Sequence, residues 1–226
     1  GWLLDEGKIG LSHIHNYFWR LDFDLGGSAK DDIVQEINYN VDSGKRTRTL
    51  TTLSNEAGRS IMPIQQRSWI VRDTALANSK NHAMGYEISL DDAGHREIGP
   101  SFEPFTKNDF YVTKAKSCEQ IASHNKRINL CEADSLDQFA NAESLVNQDL
   151  VVWVGLSFYH LPRAEDYPRM DVHSNKFKIT PRDWHAKNPL NSLLVSGKDD
   201  IAAVASGVPV TIDALANDSG IGITLQ

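Results

Sequence analysis

The sequence predicts an all-β protein, a large antiparallel β-sandwich, and three observations carry that expectation. Short runs rich in β-branched and aromatic residues recur from Ile14 to Ile179. Turn-forming clusters, not helix-length connections, separate them. No stretch shows the sustained apolar stripe of 3.6-residue period that marks an amphipathic helix. Many strands at such spacing fold most simply as two packed antiparallel sheets.

The elements follow in order. Ile14–Leu25 is the first strand and stops at Leu25-Gly26-Gly27. Ile33–Val41 and Thr47–Leu53 are the next two strands, separated by the turn Asp42-Ser43-Gly44. Asn55-Glu56-Ala57-Gly58 breaks the chain before the strands Arg67–Val71 and Gly85–Ser89, and Asp91-Asp92-Ala93-Gly94 is the next turn. Phe110–Lys114 follows. Residues 115–148 are polar and read as a long surface excursion, with a short capped turn at Ser135-Leu136-Asp137-Gln138. Leu150–Phe158 is apolar at both parities, as expected of a central strand buried on both faces. Lys176–Ile179 is the last strand. No internal repeat is visible within residues 1–190.

Charge and composition narrow the function. The 226 residues are 40% hydrophobic and 23% charged, ordinary for a folded domain. With 23 basic against 30 acidic side chains, the net charge of −7 argues against nucleic acid or an anionic membrane surface as main partner. No apolar run approaches the roughly 20 residues of a membrane span. The opening Gly1-Trp2-Leu3-Leu4 reads as the middle of a domain, so a piece of a longer protein is expected. The twelve residues between Cys118 and Cys131 would close a loop worth about 3 kcal/mol, and a disulfide is expected ahead of two unrelated thiols.

The chemistry concentrates in the first strand. Side chains alternate faces along a strand, so His13 and His15 point the same way. Asp22 and Asp24 share a face of opposite parity, which makes two sites of one strand. A lone His-x-His is weak evidence, and His160, ending the second long strand, is the candidate third ligand. Asp24 lies 11 residues after His13, and Asp149 lies 11 residues before His160. If the two strands pair antiparallel with Asp24 near Asp149, His13 falls opposite His160. Three histidines then gather at one end and three aspartates at the other, on opposite faces. Three imidazoles with an open position suit copper or zinc, and carboxylates with carbonyls suit calcium. Three carboxylates gathered without a cation would repel one another; the alternative is that the pairing is wrong and each is separately solvated. His82, His95, His124, His173 and His185 sit in polar or turn-like surroundings and read as solvated surface residues.

These motifs resemble the copper-containing amine oxidases. His13-Ile14-His15 with Arg20-Leu21-Asp22-Phe23-Asp24 is similar to that family's copper-ligand strand. Asn147-Gln148-Asp149-Leu150-Val151-Val152-Trp153 and His160-Leu161-Pro162-Arg163-Ala164-Glu165-Asp166-Tyr167-Pro168-Arg169-Met170 match the second strand and its exit. Tyr111-Val112-Thr113-Lys114, Phe177-Lys178-Ile179-Thr180-Pro181 and Asn188-Pro189 fall in order around them. The resemblance runs from about residue 9 to 190.

The resemblance implies His13, His15 and His160 as copper ligands. It also implies a structural calcium held by Asp22, Asp24 and Asp149 with the carbonyls of Phe23 and Leu150. The family is a homodimer that oxidises primary amines with O2 and water to aldehyde, ammonia and hydrogen peroxide. Its organic cofactor, topaquinone, is made from a tyrosine in an Asn-Tyr-Asp/Glu motif upstream of the histidine pair, and its catalytic aspartate lies farther upstream. Neither is in this sequence: Asn38-Tyr39-Asn40 lies downstream and lacks the acid, so Tyr39 reads as a strand residue. This chain is therefore expected to contribute the copper site and no catalytic residue, and alone to be inactive. Glu143 falls near a further calcium site known in parts of the family, without matching partners.

Residues 1–190 thus read as the C-terminal part of a catalytic domain and 191–200 as a linker. Residues 201–226 resemble the start of the Ig-like repeats of large bacterial surface proteins, which implies a secreted, periplasmic or cell-surface location. The alternative is a non-catalytic, calcium-stabilised binding or adhesion module of a bacterial surface protein. A zinc-binding β-protein would use the same histidines.

Overall fold

A computed structural model describes residues 1–42, 44–90, 99–128, 131–192, 197–203, 206–216 and 218. Among the described residues, eleven strands form three antiparallel sheets. A short hairpin pairs β1 (Trp2–Asp5) with β2 (Lys8–Gly10). A four-stranded sheet has β3 (His13–Asp22) beside β10 (Leu150–His160), then β9 (Phe110–Lys114) and β6 (Ala57–Arg59). A five-stranded sheet runs β11 (Lys178–Arg182), β8 (Ala83–Ser89), β7 (Ser68–Ala77), β4 (Asp32–Asp42), β5 (Lys45–Thr52).

Every expected strand is present. The sequence reading missed β1, β2 and β6, because two are exposed and short and β6 is three residues around Gly58. The turn at Asp91-Asp92-Ala93-Gly94 lies outside the described residues. Tyr39 is a strand residue of β4, opposite Arg48. The described residues from 197 onward contain turns and no strand, and the rest of the Ig-like stretch lies outside the description.

The two larger sheets pack face to face. Val34 of β4, Trp69 and Val71 of β7 and Ile88 of β8 meet Phe110, Val112, Val152, Val154 and Leu156 of β9 and β10 in one buried cluster. Trp69 stacks on Phe110 across the sandwich, ring centroids 4.3 Å apart and planes 4° from parallel. The opposite parity of β9 and β10 is buried too. Tyr111, Val151 and Trp153 pack under Leu136 and Phe139 of the single helical turn α1 (Leu136–Phe139). The excursion 115–148 thus roofs the outer face, and the unbroken apolar run of β10 follows from burial on both sides.

Two details of that roof differ from expectation. Cys118 and Cys131 are free thiols, not a disulfide. The Cys131 thiol donates to the Cys118 carbonyl at 3.2 Å, and burial pushes its pKa up to about 11. Glu143 accepts from Lys114 at 2.7 Å and Lys116 at 2.9 Å, so ammonium groups neutralise it.

Those lysines hold the Glu143 carboxyl down to about 2, below its ordinary 4.5. A depressed carboxyl contributes stability that is present above its unfolded value and lost as pH falls through the folded one. Glu143→Gln should therefore lower the melting temperature near pH 6 and converge with the natural chain as pH drops from about 4.5 towards 2. Melting curves that stay parallel over that window would exclude the contribution.

Candidate metal centre

Register builds the site. β3 and β10 pair antiparallel from Val151↔Asp22 to His160↔His13. Two residues further, the same register sets Asp24 against Asp149. Odd residues of β3 lie over even residues of β10, on the face that looks into the sandwich, where Leu21 and Phe23 join the core. The histidines continue this face beyond the core's edge, and the aspartates take the other face. The spacing argument had placed both groups.

The rings of His13 and His15 lie 4.6 Å apart, and those of His13 and His160 lie 5.0 Å apart. His13 Nδ1 contacts the Leu11 carbonyl at 2.8 Å. A carbonyl only accepts, so Nδ1 carries the proton and Nε2 keeps its lone pair. His160 Nε2 meets Asp166 Oδ2 at 2.8 Å, which by the same logic leaves the lone pair on Nδ1. His160 Nδ1 and His15 Nε2 are both buried without any partner. Buried polar atoms in native proteins are nearly always satisfied, so two unpartnered imidazole nitrogens beside a third ring fit the donor set of a metal ion.

Electrostatics agrees with a ligand role. Burial, then the neighbouring His13, His160 and His173, lower the pKa of His15 and keep its imidazole neutral. A metal-binding imidazole must be neutral. The Arg163 backbone N–H, together with His160, holds Asp166 below the usual carboxylate range, so it stays an acceptor for the His160 ring. Asp166 was not singled out from sequence; a carboxylate in the turn directly after a strand-ending histidine was the available signal. His173, expected as a solvated surface residue, is exposed but stacks on Phe158 at 4.0 Å and lies 5.5 Å from the His160 ring.

If the three histidines hold a metal ion, Asp166→Asn should weaken its binding by about 10–100-fold, the usual effect of losing a carboxylate that orients a ligating ring. Titration against a competing chelator measures it. Unchanged affinity would mean that the carboxylate does not orient the ring.

At the other end, Asp22, Asp24 and Asp149 bring one carboxylate oxygen each within 4.8 Å of the others. Arg20 donates to Asp22 at 3.0 Å. Asp149 Oδ1 is buried and unpartnered, and burial, then Asp22 and Asp24, raise its pKa. Among the described residues a second group, Asp31, Asp32 and Asp73, is equally close, and the sequence reading missed it. The three histidines are spaced more widely than either aspartate group. Phe23 and Leu150 sit between the aspartates with their side chains in the core, so only their backbone is available to a cation.

The comparisons with known proteins converge on these segments. The family model described as copper amine oxidase, enzyme domain, matches residues 1–198. The chain belongs to the copper amine oxidase family. It is 27% identical to the primary amine oxidase of Klebsiella aerogenes, over 84% of this chain and 27% of that one. It is 24% identical to the primary amine oxidase of Pisum sativum, over 84% of this chain and 30% of the relative. The chain thus spans under a third of the length of these relatives. Two solved structures share the fold. A copper-containing benzylamine oxidase from Hansenula polymorpha aligns with 80% of this chain at a TM-score of 0.63 and 22% identity, over 31% of its own length. An amine oxidase of Aspergillus nidulans aligns with 95% at a TM-score of 0.59 and 20% identity, over 32% of its own length.

Proposed function

We propose that this chain supplies the metal-binding part of a copper-dependent primary-amine oxidase, with His13, His15 and His160 as copper ligands. The observation that carries the reading is the pair of buried, unpartnered nitrogens on His15 and His160 beside His13, inside a copper amine oxidase domain. The whole protein would convert a primary amine, O2 and water to aldehyde, ammonia and hydrogen peroxide. Bound copper would supply electron exchange with dioxygen. This chain's residues hold the ion at the open end of β3 and β10, and Asp166 fixes the ring that presents His160 Nδ1. The topaquinone tyrosine and the catalytic aspartate of the family match nothing in residues 1–226, so the organic half of the reaction is assigned elsewhere.

Asp22, Asp24 and Asp149, with the carbonyls of Phe23 and Leu150, would hold calcium at the other end. The close carboxylates and the raised Asp149 support this, since a divalent cation removes both repulsion and the burial penalty. Homodimer formation and an exported location complete the reading on the resemblance alone.

Copper loading followed by electron paramagnetic resonance tests the proposal. A signal coupled to imidazole nitrogens, held against zinc as the order of divalent affinities demands, is the expected result. Calcium chelation should then lower the melting temperature and leave the copper signal intact. A folded chain that takes up no copper, or takes it up without nitrogen coupling, would overturn the assignment.

A further inference from the structure

The second aspartate group is built by tertiary pairing. The chain leaves β3, crosses from one sheet to the other through a turn at Leu25–Gly27, and passes Asp31 to enter β4 at Asp32. Pairing of β4 with β7 sets Asp32 directly against Asp73. Asp32 is 2% exposed and Asp73 is 1% exposed. Buried carboxylates are ordinarily paired with a cation or bound to a metal. Here the charges acting on Asp32 are all of its own sign, from Asp73, Asp31 and Asp24.

The backbone orients the carboxylates and leaves oxygens over. Asp32 Oδ2 accepts the Leu25 N–H at 3.1 Å. Asp73 Oδ1 accepts the N–H groups of Ala75 at 2.6 Å and Leu76 at 2.8 Å. Asp32 Oδ1 and Asp31 Oδ1 are buried with no partner at all. Gly26 opens the remaining side. It holds φ at 65°, and a Cβ there would stand 2.5 Å from Asp73 Oδ2. A larger residue would push that oxygen out of the group.

We propose that Asp31, Asp32 and Asp73 bind a calcium ion, a second site that fastens the β3–β4 crossover to β7. The donor set is all oxygen, which selects a hard cation. Two of the three carboxylates are almost out of water, so the ion must shed much of its hydration. Calcium does so readily and accepts irregular oxygen geometry, whereas magnesium dehydrates reluctantly and demands an octahedron. Burial foremost, then the surrounding carboxylates, pushes Asp32 up to about 7 against the Leu25 N–H. A shared proton is thus the competitor that calcium would displace. The site lies one loop away from Asp24, so an ion here would also order that residue for the neighbouring group.

Calcium counting on the whole chain tests it, by equilibrium dialysis after chelator treatment, with Asp149→Asn and Asp32→Asn as separate variants. Asn keeps the size of Asp and the oxygen that meets Leu25. Asp32→Asn should lose about one calcium per chain relative to the natural protein, given a one-ion site. It should do so equally in the Asp149→Asn background, and magnesium should not compete. Asp32→Asn that binds as much calcium as the natural chain overturns the proposal. So does a natural chain whose calcium is lost entirely through Asp149→Asn. If Asp32→Asn fails to fold, the more accessible Asp31→Asn gives the same reading: loss of the ion supports the site and full retention overturns it.

Discussion

Replacing His160 with alanine should abolish stoichiometric copper binding. In the proposed site His160 would close the ligand set from the far strand; His13 and His15 alone share one face of β3 and would leave the ion open to solvent on the β10 side. Loss of an outer-shell partner costs about 10–100-fold in metal affinity, and loss of a direct ligand should exceed that. The fold should survive, because His160 is the last residue of β10 and its ladder bonds belong to the backbone. The measurement is copper per chain by elemental analysis, with nitrogen coupling by paramagnetic resonance and circular dichroism to establish folding. Unchanged stoichiometry in a folded variant would remove His160 from the site.

The largest stability effect is expected from Trp69→Ala. Trp69 is fully buried, stacks on Phe110 across the sandwich and donates its indole N–H to Glu36 at 3.2 Å. Deleting a buried aromatic of this size costs about 3–5 kcal/mol, because the cavity collapses only in part. Glu36 also keeps Arg67 at 3.3 Å and Arg59 at 3.4 Å, so it is not stranded by the change. Domains of this size lose about 2–4 °C per kcal/mol, which places the drop in melting temperature near 6–20 °C. That is a large share of the ~5–15 kcal/mol total stability typical of a folded domain. Urea unfolding that shows a loss below about 1 kcal/mol would mean that the two sheets do not lean on this contact.

Much of the architecture was legible in local pattern. The apolar run Leu150–Leu156 carries residues for two cores at once, with even positions meeting the facing sheet and odd positions meeting Leu136 and Phe139. Only a central strand has that requirement, and β10 lies between β3 and β9. The short strands β1, β2 and β6 were not legible. Three or four residues give a period-2 signal too little length to stand above chance. The Cys118–Cys131 bridge was expected from the loop it would close and the exported character of the C-terminus, but a disulfide also requires a geometry that neither reports.

The two proposed metal-ligand groups divide in the same way. Given antiparallel pairing of the two strands, side-chain alternation and a matched spacing of 11 residues put His13, His15 and His160 at one end and Asp22, Asp24 and Asp149 at the other, and the structure has that pairing. Both facts are properties of a single pairing. The tertiary structure decided the rest. It set which nitrogen His13 and His160 keep free, because that depends on the carbonyl of Leu11 and the carboxylate of Asp166 reaching particular ring atoms. It also gathered Asp31, Asp32 and Asp73, since an adjacent acidic pair in sequence becomes a cluster only when another strand brings a third acid opposite. No local periodicity specifies which strand that will be, and the choice is made by the packing of the whole sandwich.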